Sequence, residues 1–130
     1  MKNDYLCPHC KALLNIYTHI VLSFKKKNRE SGVVFFHSDL GNYETIFHDD
    51  LEFDDNERVE FYCPVCNADL GHGHHENLAK IIMRDTEGEH NIVFSKVYGE
   101  KCTYKISEEI TAYGEDSGKY VDFDDLSKFK

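Results

Sequence analysis

What the chain lacks narrows its class before any motif is read. It has no apolar run near the ~20 residues of a membrane span, so no transmembrane helix is expected. Basic residues are in deficit, with Lys+Arg 15 against Asp+Glu 24 and a formal net charge of -9. A protein that tracks phosphates needs a basic face to release counterions, so this balance argues against a nucleic-acid partner. Met1-Lys2-Asn3-Asp4 lacks the apolar core of a signal peptide, and the expected location is the cytoplasm. A P-loop, a Gly-rich dinucleotide fingerprint and a nucleophile elbow are all missing. Alanine is scarce, and proline occurs only twice. The core formers are not depleted: Leu, Ile, Val and Phe make up about a quarter of the chain, above the range of disordered sequences. At 130 residues the default is one domain, or two very small units sharing a core.

Both prolines lie inside cysteine pairs, Cys7-Pro8-His9-Cys10 and Cys63-Pro64-Val65-Cys66, while Cys102 stands alone. Two C-x-x-C pairs are the ligand set of a tetrahedral four-cysteine metal site. Two intervening residues let a tight turn aim both sulfurs at one ion. The turn's N–H groups then point at the thiolates, and proline presets φ. Disulfides belong to oxidising compartments, and nothing here is secretory. A thioredoxin-like redox pair wants a strand-to-helix context, whereas these flanks read as β. Rubredoxin-type iron uses similar knuckles, usually with Gly after the second cysteine, where this chain has Lys11 and Asn67. Asn tolerates the left-handed backbone more readily than Lys. One structural zinc ion per chain, on Cys7, Cys10, Cys63 and Cys66, is therefore expected, with iron as the alternative. Four thiolates leave no open coordination position for an activated water, so the expected protein is not an enzyme.

The remaining residues alternate with period two and are rich in aromatics, Phe 9 and Tyr 8, which predicts strands. The first spans 16–24, with Ile16, Ile20, Leu22 and Phe24 on one face, and a charged loop at 25–32 turns it into strands at 33–36 and 43–47. An acidic connector at 49–57 precedes a strand at 59–62 that feeds the second knuckle. Strands at 78–84, 91–97, 102–106 and 110–113 follow. The expected fold is all-β, with two knuckle-plus-meander halves, 1–62 and 63–114, and an acidic tail at 115–130.

The halves also match residue by residue. At an offset of 56, Cys7, Pro8, Cys10, Ala12 and Leu14 fall on Cys63, Pro64, Cys66, Ala68 and Leu70. At an offset of 59, Glu30, Val34 and Phe35 fall on Glu89, Val93 and Phe94. An internal duplication would account for both. Neither half supplies four thiolates, so one ion would staple the two together.

Paired C-P-x-C knuckles flanked by hairpins resemble zinc ribbons, and the chain resembles small bacterial zinc-ribbon proteins. The likeness rests on Cys7, Cys10, Cys63, Cys66 and their flanks, about a fifth of the chain. It implies structural zinc and often a protein- or nucleic-acid-binding role. The stretch between the knuckles is longer than in most ribbons, so the first meander would be an insertion.

Other features are weaker. His72, His74 and His75 could form a second site for zinc, nickel or copper, as in a metal-handling protein, although a solvated Gly-flanked loop reads as well. His9 should point away from the metal. Cys102 reads as a small buried hydrophobe on a strand face with Tyr104 and Ile106. The acidic connector lacks a calcium loop's spacing and reads as solvated, as does the basic tip at 25–29. The expected function is a non-catalytic zinc-binding module whose strand faces or edges take a protein partner or a second copy of the chain. A rubredoxin-like iron electron carrier is the other alternative.

Overall fold

The computed structural model describes residues 3–72, 75–107 and 109–120, and they form two antiparallel sheets. In chain order the strands are β1 (Asp4–Leu6), β2 (Asn15–Ile16), β3 (His19–Lys25), β4 (Ser31–His37), β5 (Thr45–Ile46) and β6 (Glu60–Tyr62). They continue as β7 (Gly71–His72), β8 (His75–Asp85), β9 (Gly88–Ser95), β10 (Thr103–Ile106) and β11 (Ile110–Tyr113). A single 3-10 turn at Ser117–Tyr120 is the only helical element among the described residues, and no helix there is long and apolar enough to cross a membrane.

Each sheet borrows a strand from the other half. The first meander runs β2-β3-β4-β5, and β6, which leads into the second knuckle, pairs with β3. The second runs β7-β8-β9-β10-β11, and β1, which leads into the first knuckle, pairs with β8. The two exchanges share one register. Asp4, Tyr5 and Leu6 face Arg84, Met83 and Ile82, as Glu60, Phe61 and Tyr62 face Lys25, Phe24 and Ser23. Adding 56 to the β1 numbers gives β6, and adding 59 to the β3 numbers gives β8.

Past the hairpin the offset changes. Phe36 faces Thr45 as Phe94 faces Thr103, so β4 and β5 correspond to β9 and β10 at 58 rather than 59. The counterpart of Val34 is thus Ile92, and that of Phe36 is Phe94. The reason is the turn: Lys25 pairs with Ser31 across five loop residues, whereas Arg84 pairs with Glu89 across four. In the shorter turn the Asp85 carboxylate accepts from the Glu87 N–H at 2.8 Å, and Gly88 takes a φ of 127 that favours glycine.

Alternation along β3 and β8 sends Ile20, Leu22 and Phe24, and their counterparts Ala79, Ile81 and Met83, into one core shared by both sheets. The opposite face of the second sheet carries a smaller cluster of Leu78, Val93, Cys102, Tyr104 and Ile106. The long strand expected over 16–24 is in fact a hairpin. Tyr17 turns the chain with a φ of 55, and Ile16 ends up 58% exposed. Asn15 is responsible in part, because its side-chain oxygen accepts from the Tyr5 N–H at 2.9 Å and ties β2 to β1.

The connector at 49–57 forms no strand, but it is anchored rather than simply solvated. Phe53 stacks on Tyr98 with centroids 5.0 Å apart and meets Phe47 and Phe24 at 4.8 and 5.4 Å. The basic tip opposite it is likewise not uniformly solvated. The Lys26 ammonium lies 3.2 Å from Glu30 and 3.6 Å from Glu57, donates to the Glu52 carbonyl, and sits 5.0 Å from the Phe53 ring. Residues 121–130, most of the acidic tail, lie outside the described residues.

Candidate metal centre

Each knuckle is built by the same three backbone bonds. The Cys7 N–H donates to the Ala12 carbonyl at 3.0 Å, Lys11 N–H to the Cys7 carbonyl at 2.9 Å, and Leu14 N–H to the Tyr5 carbonyl at 2.7 Å. The second knuckle repeats these as Cys63 to Ala68, Asn67 to Cys63 and Leu70 to Phe61, at 3.0, 2.9 and 2.9 Å. Closing this turn requires a left-handed residue after the second cysteine, and Lys11 and Asn67 adopt φ of 63 and 65. Leu14 and Leu70 are both buried under the turns, which explains why the sequence repeats at these positions.

The turns bring four sulfurs together. Those of Cys7, Cys10, Cys63 and Cys66 all lie within 4.8 Å of one another. Cys7 is 3.8 Å from Cys66, and Cys10 is 3.8 Å from Cys63. Thiolates held about 2.3 Å from a central ion stand about 3.8 Å apart at tetrahedral corners, so the set fits a tetrahedral ion. Cys7 and Cys63 are buried, while Cys10 and Cys66 are exposed. Backbone donors converge on the two buried sulfurs. His9 and Cys10 N–H reach Cys7 at 3.3 and 3.5 Å, and Val65 and Cys66 N–H reach Cys63 at 3.3 and 3.4 Å. Such donors favour the thiolate that a metal requires.

The buried thiols feel opposing forces. Burial pushes Cys7 up to about 12. Cys63 is also pushed up by burial, but the Cys66 and Val65 N–H groups and the neighbouring sulfurs bring it down to about 7. Of the two buried thiols Cys63 therefore forms the thiolate more readily, and a divalent ion would displace the proton that Cys7 retains.

The other candidates do not join this site. His9 is exposed and reaches the cluster only through its backbone. Among the described residues, no other group of His, Cys, Asp or Glu gathers closely enough to hold an ion. His74 lies outside the described residues, while His72 and His75 belong to β7 and β8, where their backbones pair. Cys102 is buried in the smaller apolar cluster. Lys26 reads in the sequence as one of several lysines at a turn, and only the fold shows that it reaches the connector at Glu57 and the Glu52 carbonyl. Compared with protein-family models, with curated proteins and with solved structures, the chain matches none.

Proposed function

We propose that the protein is a non-catalytic binding module held together by one structural zinc ion, acting in a reducing compartment such as the cytoplasm. The observation that carries this reading is the gathering of all four knuckle sulfurs within 4.8 Å. A tetrahedral ion there has every position filled by protein, so it would hold the halves rather than activate a substrate. The partner is best taken as a protein, or a second copy of the chain. Support comes from apolar side chains left in solvent in and beside the knuckles, Leu13 at 59%, Tyr17 at 81% and Val65 at 68% exposed, which suit a recognition surface more than a solvated one.

The test has two arms. Elemental analysis of protein from its own host should give about one zinc per chain and a colourless sample. The metal-loaded protein should capture a partner, or dimerise by light scattering, in a manner lost on the double substitution Leu13→Ser with Val65→Ser. A monomer that retains nothing in wild-type form overturns the binding role. A second reading, an iron electron carrier, draws on the exposure of Cys10 and Cys66, which would bring an electron close to the surface. It requires a red protein when purified anaerobically, and zinc-loaded protein rules it out.

A further inference from the structure

The two sheets do not close completely on one another. Between them lies a cavity of about 540 Å³. The space is half open rather than sealed, so a ligand can reach it from solvent. Its back wall is an aromatic triangle. Phe36 meets Phe61 at 5.5 Å and Phe94 at 6.1 Å, and Phe61 meets Phe94 at 5.6 Å. Phe36 on β4 and Phe94 on β9 are counterparts in the two halves, and both line the cavity.

The opening follows from a difference between the halves. Strand β5 pairs with β4 at only two positions, whereas its counterpart β10 pairs with β9 at four. The short β5 leaves the first sheet's inner face partly uncovered. Leu40 and Phe47 beside it are only partly buried while packing on the core.

The chemistry of the walls sets the class of ligand. Several polar groups on the lining are already committed within the protein. Tyr43 Oη lies 3.0 Å from Thr103 Oγ1 and donates to the Tyr113 carbonyl at 3.1 Å. The Lys96 ammonium is 2.6 Å from Glu60, and the Ser95 hydroxyl donates to Glu100 at 2.6 Å. A charged head group against the phenylalanine wall would lose its hydration with no counter-ion beside it, and water would find few partners there. The rim does carry Asp39 and Lys101, so a polar terminus is tolerated at the mouth. Small-molecule pockets span about 300–1,000 Å³ and are lined mainly by apolar and aromatic groups. We propose that the cavity between the sheets is a binding site for an uncharged, largely apolar small molecule, with its aromatic or aliphatic body against Phe36, Phe61 and Phe94. This inference does not depend on the role assigned to the metal.

Nile red, an uncharged apolar dye that brightens and shifts to the blue in dry surroundings, tests it on the full, metal-loaded chain. Saturable binding of one dye per chain is expected. Filling the cavity with Leu40→Trp or Val97→Trp should weaken binding at least tenfold, while Lys27→Ala, exposed at the hairpin tip and outside the lining, should leave it unchanged. Amide shifts in the wild-type protein should map to residues 36–47 and 94–103, which keeps the test decisive even if the tryptophan variants do not fold. Three results would overturn the proposal: no saturable binding, as when the chain's own residues or a second copy fill the space, binding that survives in folded, filled variants, or shifts that map to the knuckles.

Discussion

Cys7 and Cys66 come from opposite halves of the chain, and their sulfurs lie 3.8 Å apart, with Cys10 and Cys63 repeating the relationship. Each knuckle completes its site with the other's sulfurs, so the ion's binding energy would be folding energy. For structural zinc this is on the order of 10 kcal/mol, comparable to the whole stability of a small domain, about 5–15 kcal/mol. Chelation, or Cys63→Ser, should therefore abolish the cooperative thermal transition seen by circular dichroism. Bound metal should fall from about one per chain to none. A metal-free wild type with a sharp melt would refute the architecture.

Lys11 and Asn67 occupy the same left-handed position in the two knuckles, yet only Asn tolerates it readily. Lys11→Gly should stabilise the protein by about 0.5–1 kcal/mol by relieving that strain. It gives up only an exposed 3.9 Å ion pair with Glu89, a kind of contact worth little. Asn67→Gly should change stability much less. Paired thermal melts check both, and a destabilised Lys11→Gly would show that the strain estimate is wrong.

The four-cysteine cluster and the all-β class were legible because both are written in short-range pattern: C-P-x-C spacing for one, alternation for the other. The exchange of β1 and β6 was not, since a three-residue strand such as Asp4–Leu6 carries no mark of which sheet it joins. Only the register, with Tyr5 opposite Met83 and Phe61 opposite Phe24, reveals it. The strand expected over 16–24 failed for a similar reason. Ile16 continues the alternation in sequence, but Tyr17 breaks it with a left-handed φ of 55, which β-propensity does not foresee. The anchoring of Phe53 and Lys26 was hidden because both sit in charged segments whose composition reads as solvated.

Lys26 is the basic residue on which the connector depends. Its ammonium sits among Glu30, Glu57 and the Glu52 carbonyl, over Phe53, with its side chain only 7% exposed. Burial works against the charge, but the Glu30 and Glu57 carboxylates more than offset it and raise the ammonium above its ordinary range. Lys26→Ala should lower the melting temperature and open the 49–57 segment to limited proteolysis. Lys27→Ala, on an exposed neighbour, should do neither. Equal behaviour of the two variants would return this tip to an ordinary solvated turn.

Asp85 gives the fold a pH dependence of definite sign. His90 Nε2 lies 3.0 Å from its Oδ1, the Glu87 N–H donates to the same oxygen, and Lys105 lies 3.7 Å from Oδ2. The hydrogen bond to His90, then that from Glu87, hold the carboxyl below its ordinary value. A depressed folded pKa adds stability above the unfolded carboxylate range, near pH 4, and that contribution is lost as pH falls through the folded value. Asp85→Asn keeps the turn's acceptor but removes the charge. The melting-temperature gap between wild type and variant should be widest near neutrality and narrow on acidification. Both melts are read only down to the pH at which the cooperative transition survives, since acid loss of metal would abolish it in wild type and variant alike. A gap that is flat with pH would remove Asp85 from the account.

Gly114 and Gly99 both have positive φ, 94 and 85, but their surroundings differ. Nothing lies within 4 Å of a Cβ built on Gly99, whereas one on Gly114 would strike the Lys101 carbonyl and the Tyr43 hydroxyl. That close approach docks the segment after β11. Asp116 N–H donates to the Lys101 carbonyl at 2.9 Å, and the Lys101 N–H donates to the Asp116 carboxylate at 2.8 Å. Alanine at 99 should cost only the backbone strain of a left-handed non-glycine residue, about 1–2 kcal/mol. At 114 the steric clash adds to that strain, and the same substitution should break the Lys101–Asp116 pair and release the segment. The measurement is a side-by-side melt of the two variants, with amide exchange at Lys101 and Asp116. Gly114→Ala should melt lower and lose protection at both amides, while Gly99→Ala keeps them. Equal costs at the two sites would mean that the chain after Gly114 is not held by this contact.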